Sequence, residues 1–206
     1  MSVPHLSRRA ALRQLALAIT AAGSGSVNIE AARLVHTIAG ESRAQLGGYA
    51  PIQLTAHEFR TVSRLAELIV PADGRGGSAV DAGAPEFIDL LCSQNDQLTA
   101  IYQEGVRWLD TTARTRSREN FVDTSTATQT EVLDDLVDAE RGDSSHNLRE
   151  GVSFFGWVRR MTVDAYYTSP IGIRDLGYQG NQVLNSYETP SEAIDFVTQV
   201  ADDLDL

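Results

Sequence analysis

The chain has 206 residues, 42% of them hydrophobic, and its 17 basic and 28 acidic residues give a formal charge of −11. That length suits one domain with a core large enough to fold unaided. The single Cys92 excludes an internal disulfide, a zinc ribbon, an iron–sulfur cluster held by this chain alone and C-x-x-C-H haem attachment. Every basic residue is an arginine, which removes a P-loop lysine and Schiff-base chemistry, and an acidic chain is a poor match for nucleic acid.

At the N-terminus, Ser7-Arg8-Arg9-Ala10-Ala11-Leu12-Arg13 precedes a mildly apolar run from Leu15 to Ala22 and the small-residue stretch GSGS. Paired Arg8 and Arg9 ahead of a short, weakly hydrophobic segment predict a twin-arginine export signal over residues 1–27. Such a signal implies a periplasmic location or the outer face of the cytoplasmic membrane. The run is shorter than the roughly 20 residues a bilayer span needs, so membrane contact is indirect or through an uncleaved leader. Ala11 stands where a large apolar residue is usual and no clean A-x-A site follows, so cleavage stays open. The plain alternative is an amphipathic helix with solvated arginines. Without the three leader arginines the formal charge becomes −14.

Residues 28–206 read as an all-α fold, a single compact domain of about six helices with long Gly/Pro/Tyr-containing loops. Ala31, Ala32, Leu34, Val35 and Ile38 mark a first helix. Thr55 and Glu58 form a T-x-x-E capping box for the next, whose apolar face runs through Phe59, Val62, Leu65, Ala66 and Ile69 until Pro71. The stretch from Pro71 to Pro85 is a Gly/Pro/Asp loop. Helices then follow over Phe87 to Leu91, Leu98 to Leu109, Ser125 to Glu140 and about His146 to Tyr167. Thr189, Pro190 and Glu192 start a final helix within an acidic C-terminal extension, residues 182–206.

No residue pattern in the chain points to chemistry of its own. The histidines share no i, i+3 or i, i+4 spacing suited to a metal: His36 lies on the early helix, His57 in an exposed first turn, His146 in a polar loop. Cys92 ends an apolar helix and reads as a small buried hydrophobe. Gly23 and Gly25 follow no strand, so a dinucleotide fingerprint fails. Catalytic, cofactor-binding and metal residues are therefore all assigned as none. One segment resists a bland account: Tyr166 to Asn181 holds three Tyr, three Gly and an Arg-Asp pair in 16 residues, without helical periodicity. Tyr and Arg on a Gly-shaped loop suit an interface, and a structural turn whose tyrosines lie on the core suits the same composition.

Three blocks of the chain resemble the gluconate 2-dehydrogenase subunit 3 family. They are LTAHEFRTVSRLAELIVPAD with AGAPEFIDLL (Leu54 to Asp73 and Ala82 to Leu91), FVDTSTATQTEVLDDL (Phe121 to Leu136) and FFGWVRRMTVDAYYTSPIGIRDLGYQGN (Phe154 to Asn181). Thr124 and Thr126 depart from the pattern, standing where an apolar residue and often a proline is expected. The resemblance implies a non-catalytic small subunit of an exported dehydrogenase that acts on CH–OH groups of sugars. A partner flavoprotein of the glucose-methanol-choline type would hold FAD, this chain would bind no cofactor, and an acceptor such as a cytochrome c could complete the complex. The third block then supplies the candidate partner interface, Tyr167, Arg174, Asp175 and Tyr178. Two other readings remain: an exported binding or scaffold protein of the same fold, and a stand-alone carbohydrate-active enzyme using Asp164 or Asp175.

Overall fold

The computed structural model describes residues 12, 13, 16, 29–46, 48–73, 76–142, 148–177 and 189–203. These form α1 (Ile29–Leu46), α2 (Ala56–Ile69), α3 (Ala84–Cys92), α4 (Asp96–Ser117), a 3₁₀ turn (Phe121–Asp123), α5 (Thr126–Arg141), α6 (Arg149–Thr168), α7 (Pro170–Asp175) and α8 (Ser191–Asp203). Among the described residues there are eight α-helices and no strand, so the fold is all-α. The helix absent from the sequence reading is α7, which lies inside the block expected to be irregular; α1 forms where a first helix was expected and packs onto the body.

Local chemistry sets the helix starts. Thr55 and Glu58 make the reciprocal capping box of α2: the Glu58 N–H donates to Thr55 Oγ1 at 3.2 Å, and the Thr55 N–H to Glu58 Oε2 at 2.8 Å. Asn95 and Ser125 cap α4 and α5 by accepting from the N–H groups of Leu98 and Thr128. Helix α8 begins one residue after Pro190.

Helix α6 is the central element and packs on α1 through α5. Its buried face carries Phe154, Phe155, Val158, Met161 and Ala165. Its approach to α4 depends on two glycines used reciprocally. A Cβ on Gly105 of α4 would lie 2.1 Å from the Phe154 ring, and one on Gly151 of α6 would lie 2.4 Å from Trp108. Each helix thus gives the other's aromatic side chain a Cβ-free hollow, and Tyr102 meets Phe154 edge-on at 5.8 Å.

Helix α3 is buried along its entire length, including the charged Glu86 and Asp89. Asp89 accepts from the Tyr49 hydroxyl (2.7 Å) and from the N–H groups of Ile52 (2.7 Å), Gln53 (3.1 Å) and Leu54 (2.7 Å). One carboxylate therefore fastens the α1–α2 connection to the core. Burial, together with the Asp89 carboxylate, pushes the Tyr49 hydroxyl pKa up.

Asp110 does similar work for the α4–α5 connection. It accepts from the Phe121 N–H at 3.0 Å and faces His57 Nε2 at 2.6 Å. His57 is therefore half-buried and partnered rather than free in an exposed first turn, because its acceptor comes from a helix far along the chain. Thr124, expected to be apolar, is buried with its hydroxyl donating to the Phe121 carbonyl, and Thr126 accepts from Arg64. Cys92 is buried as expected, and desolvation pushes its thiol pKa up.

The Tyr166–Asn181 block corrects the sequence reading. Tyr166, Tyr167 and Thr168 finish α6, and α7 follows at once. Ser169 is the reason: buried between the two helices, it donates to the Tyr166 carbonyl at 2.6 Å and accepts from the Gly172 N–H at 3.0 Å. A Cβ at Gly172 would sit 2.2 Å from the Tyr166 carbonyl oxygen, so this tight reversal requires glycine.

Two substitutions test this packing. Gly105→Ala is expected to cost about 1–3 kcal/mol by overpacking, whereas Gly156→Ala, which faces open space, should be neutral or stabilising by up to about 1 kcal/mol. Asp89→Asn, which turns an amide group toward backbone donors, should cost about 3 kcal/mol. Urea unfolding monitored by circular dichroism measures all three.

Candidate functional site

The third sequence block forms one wall of a cleft of about 630 Å³. Helix α1 supplies the opposite wall through Arg33, His36, Thr37, Gly40 and Arg43. Asp81, Ala82 and Gly83, ahead of α3, close one end; Thr168, Pro170, Ile173 and Arg174 come from the α6–α7 reversal. Ser169 and Gly172 set the angle of that reversal, and so decide which way Ile173 and Arg174 project.

Three arginines thus line one cleft of a chain whose formal charge is −11. Arg43 is ion-paired with the buried Glu86, which ties α1 to α3. Arg174 is exposed and makes no ion pair among the described residues. Asp81 is already engaged by the Ser78 N–H at 2.8 Å and the Ser78 hydroxyl at 2.9 Å. Ala39, Ala82, Pro170 and Ile173 give the cleft an apolar component. A cationic rim over apolar surface favours an anionic group carried on an apolar body.

His36 is held against this wall. Its ring centroid lies 5.0 Å from that of Phe87, and its Nε2 is 3.2 Å from Thr168 Oγ1. Burial lowers its pKa to about 4, outweighing a hydrogen bond to the Ala165 backbone. The imidazole is therefore neutral at pH 7, and the positive charge of the cleft comes from arginine.

The structure places the residues singled out in the sequence as follows. Tyr167 is 41% exposed at the end of α6, its ring edge-on to that of the buried Tyr166 at 5.0 Å. Arg174 lines the cleft. Asp175 is exposed at the end of α7 and is hydrogen-bonded to the Tyr166 hydroxyl. A Cβ on Gly76 would come within 2.7 Å of that hydroxyl, which places the loop ahead of α3 beside α7. Tyr178, Arg8 and Arg9 lie outside the described residues. Asp164 lines a second concavity with Trp157, Arg159 and Arg160, and Asp175 is not among that concavity's residues. Sequence reasoning placed His36 only on the early helix and did not single out Arg33 or Arg43, because nothing local shows what α1 packs against. It also missed Leu176, 61% exposed beside Asp175.

Comparison with family models finds a match to gluconate 2-dehydrogenase subunit 3 over residues 56–185. The chain belongs to that family. The matched span runs from the first residue of α2 through α7 and includes the α6–α7 wall of the cleft; α1 and α8 lie outside it. The family is one of accessory subunits in multi-subunit dehydrogenase complexes, which implies a partner subunit. No curated protein and no solved structure matches the chain. No helix among the described residues is long and apolar enough to cross a membrane.

The buried neutral His36 makes stability pH-dependent. With its pKa lowered in the folded chain from 6.5 to about 4, the unfolded state binds more protons between those values. Stability should therefore fall as pH drops through that window, by up to about 3 kcal/mol from this residue. His36→Leu should remove that component, seen as a flatter profile of urea midpoint against pH.

Proposed function

We propose that this protein is the non-catalytic small subunit of an exported FAD-dependent sugar dehydrogenase. It escorts and stabilises a glucose-methanol-choline type flavoprotein that holds the FAD and oxidises the substrate; a cytochrome c subunit is a further candidate member. The observation that carries this reading is the family match across residues 56–185. The Arg8-Arg9 leader supports export by the twin-arginine route to the periplasm or the outer face of the cytoplasmic membrane. In this reading the partner contacts the cleft mouth and α7, where Tyr167, Arg174 and Leu176 are exposed together. An aromatic, an arginine and a leucine on a short rigid helix end supply contact area at low cost in conformational entropy.

Co-expression of the flavoprotein subunit with and without this chain tests the proposal. Exported dehydrogenase activity should fall at least about tenfold without it, the size expected if the partner's folded population depends on the complex. Unchanged export and activity would overturn the reading. Replacing Arg8 and Arg9 together by Lys should hold both proteins in the cytoplasm, and Arg174→Glu should reduce co-purification while leaving the chain's own unfolding midpoint unchanged.

A further inference from the structure

The segment read as an export address is not wholly separate from the domain. Leu12 and Ala16 are helical and only 7% and 0% exposed, and both belong to the core's apolar cluster, whereas Arg13 is exposed. Their i, i+4 spacing puts both apolar residues on one side of a helix, away from the arginine.

The polar half of this contact is specific. Asn95 is 7% exposed and uses both ends of its side-chain amide. Its Oδ1 accepts the Leu98 N–H at 3.0 Å, capping α4, and its Nδ2 donates to the Ala16 backbone carbonyl at 2.9 Å. The amide thus holds Ala16 by its backbone, while the side chains of Leu12 and Ala16 lie in the core.

We infer that the domain contains a seat for its own leader, closed by the Asn95 amide, so that a docking equilibrium within the chain sets the leader's exposure to export machinery. Leu12 and Ala16 belong to the apolar stretch that follows Arg8 and Arg9, and the seat covers residues of the stretch a receptor would need. Seating and recognition therefore exclude one another. Covalent attachment keeps the leader at high effective concentration beside the seat. A receptor that binds only the open form would draw the population toward it. The consequence for export rests on the reading of Arg8 and Arg9 given above; the seat itself stands on Leu12, Ala16 and Asn95.

Asn95→Asp separates the two roles of this residue. Aspartate keeps an acceptor for the Leu98 N–H and is a good helix cap, but it sets a carboxylate oxygen against the Ala16 carbonyl where a donor had been. In the full-length chain, tryptic cleavage after Arg13, followed by mass spectrometry, should be faster by about tenfold, since cleavage tracks the open population. Hydrogen exchange in the first turn of α4 should stay unchanged. Leu12→Ala, which leaves α4 untouched, should accelerate the same cut. Equal cleavage rates in wild type and both variants would overturn the seat. Faster cleavage combined with export that does not depend on Arg8 and Arg9 would support the seat and overturn the address reading alone.

Discussion

A carboxylate buried in the middle of α3 holds together the parts of this fold that matter most. Asp89 has no exposed surface, and a bare charge there would be very unfavourable. It is tolerated because three consecutive backbone N–H groups and the Tyr49 hydroxyl converge on it. The dependence is mutual: residues 52–54 belong to no helix, and their donors would otherwise be left without partners. Once that segment is fixed, Leu54 enters the core, Thr55 is placed to cap α2, and α1 is brought alongside α3, where Arg43 reaches Glu86.

The cleft is a product of that arrangement. Its walls come from helices far apart in sequence, and their angle depends on Ser169 and Gly172 at one side and on the α1–α3 ion pair at the other. An acidic chain would not gather arginines on one concave surface by composition alone. Arg43 is matched there by the buried Glu86, and Arg174 at the opposite wall is exposed.

Much of the fold was legible because its signals are local. The Thr55–Glu58 box and the apolar periodicity of α6 each act within a few residues, so their spacing in the chain is their spacing in space. Legibility failed where a distant partner decides the outcome. His57 looked exposed because its partner, Asp110, lies 53 residues further along the chain. The Tyr166–Asn181 block looked irregular because a single serine between two helices interrupts the period, and the buried hydrogen bonds of Ser169 turn that interruption into a sharp corner. Arg174 was readable as an interface candidate from its composition, but Arg33 and Arg43 were not, since only packing shows that they face it.

By itself the sequence determined the class of the fold, the helix starts, the family and an N-terminal segment of address-like composition, because each of these is written in residue type and short-range spacing. Only the tertiary structure decided that Asp89 and Asp110 organise the connections, that three arginines share a cleft, and that Leu12 and Ala16 lie in the core with Asn95 donating to the Ala16 carbonyl. Those are facts about burial. Burial depends on which distant surfaces meet, and no local pattern of residues specifies that.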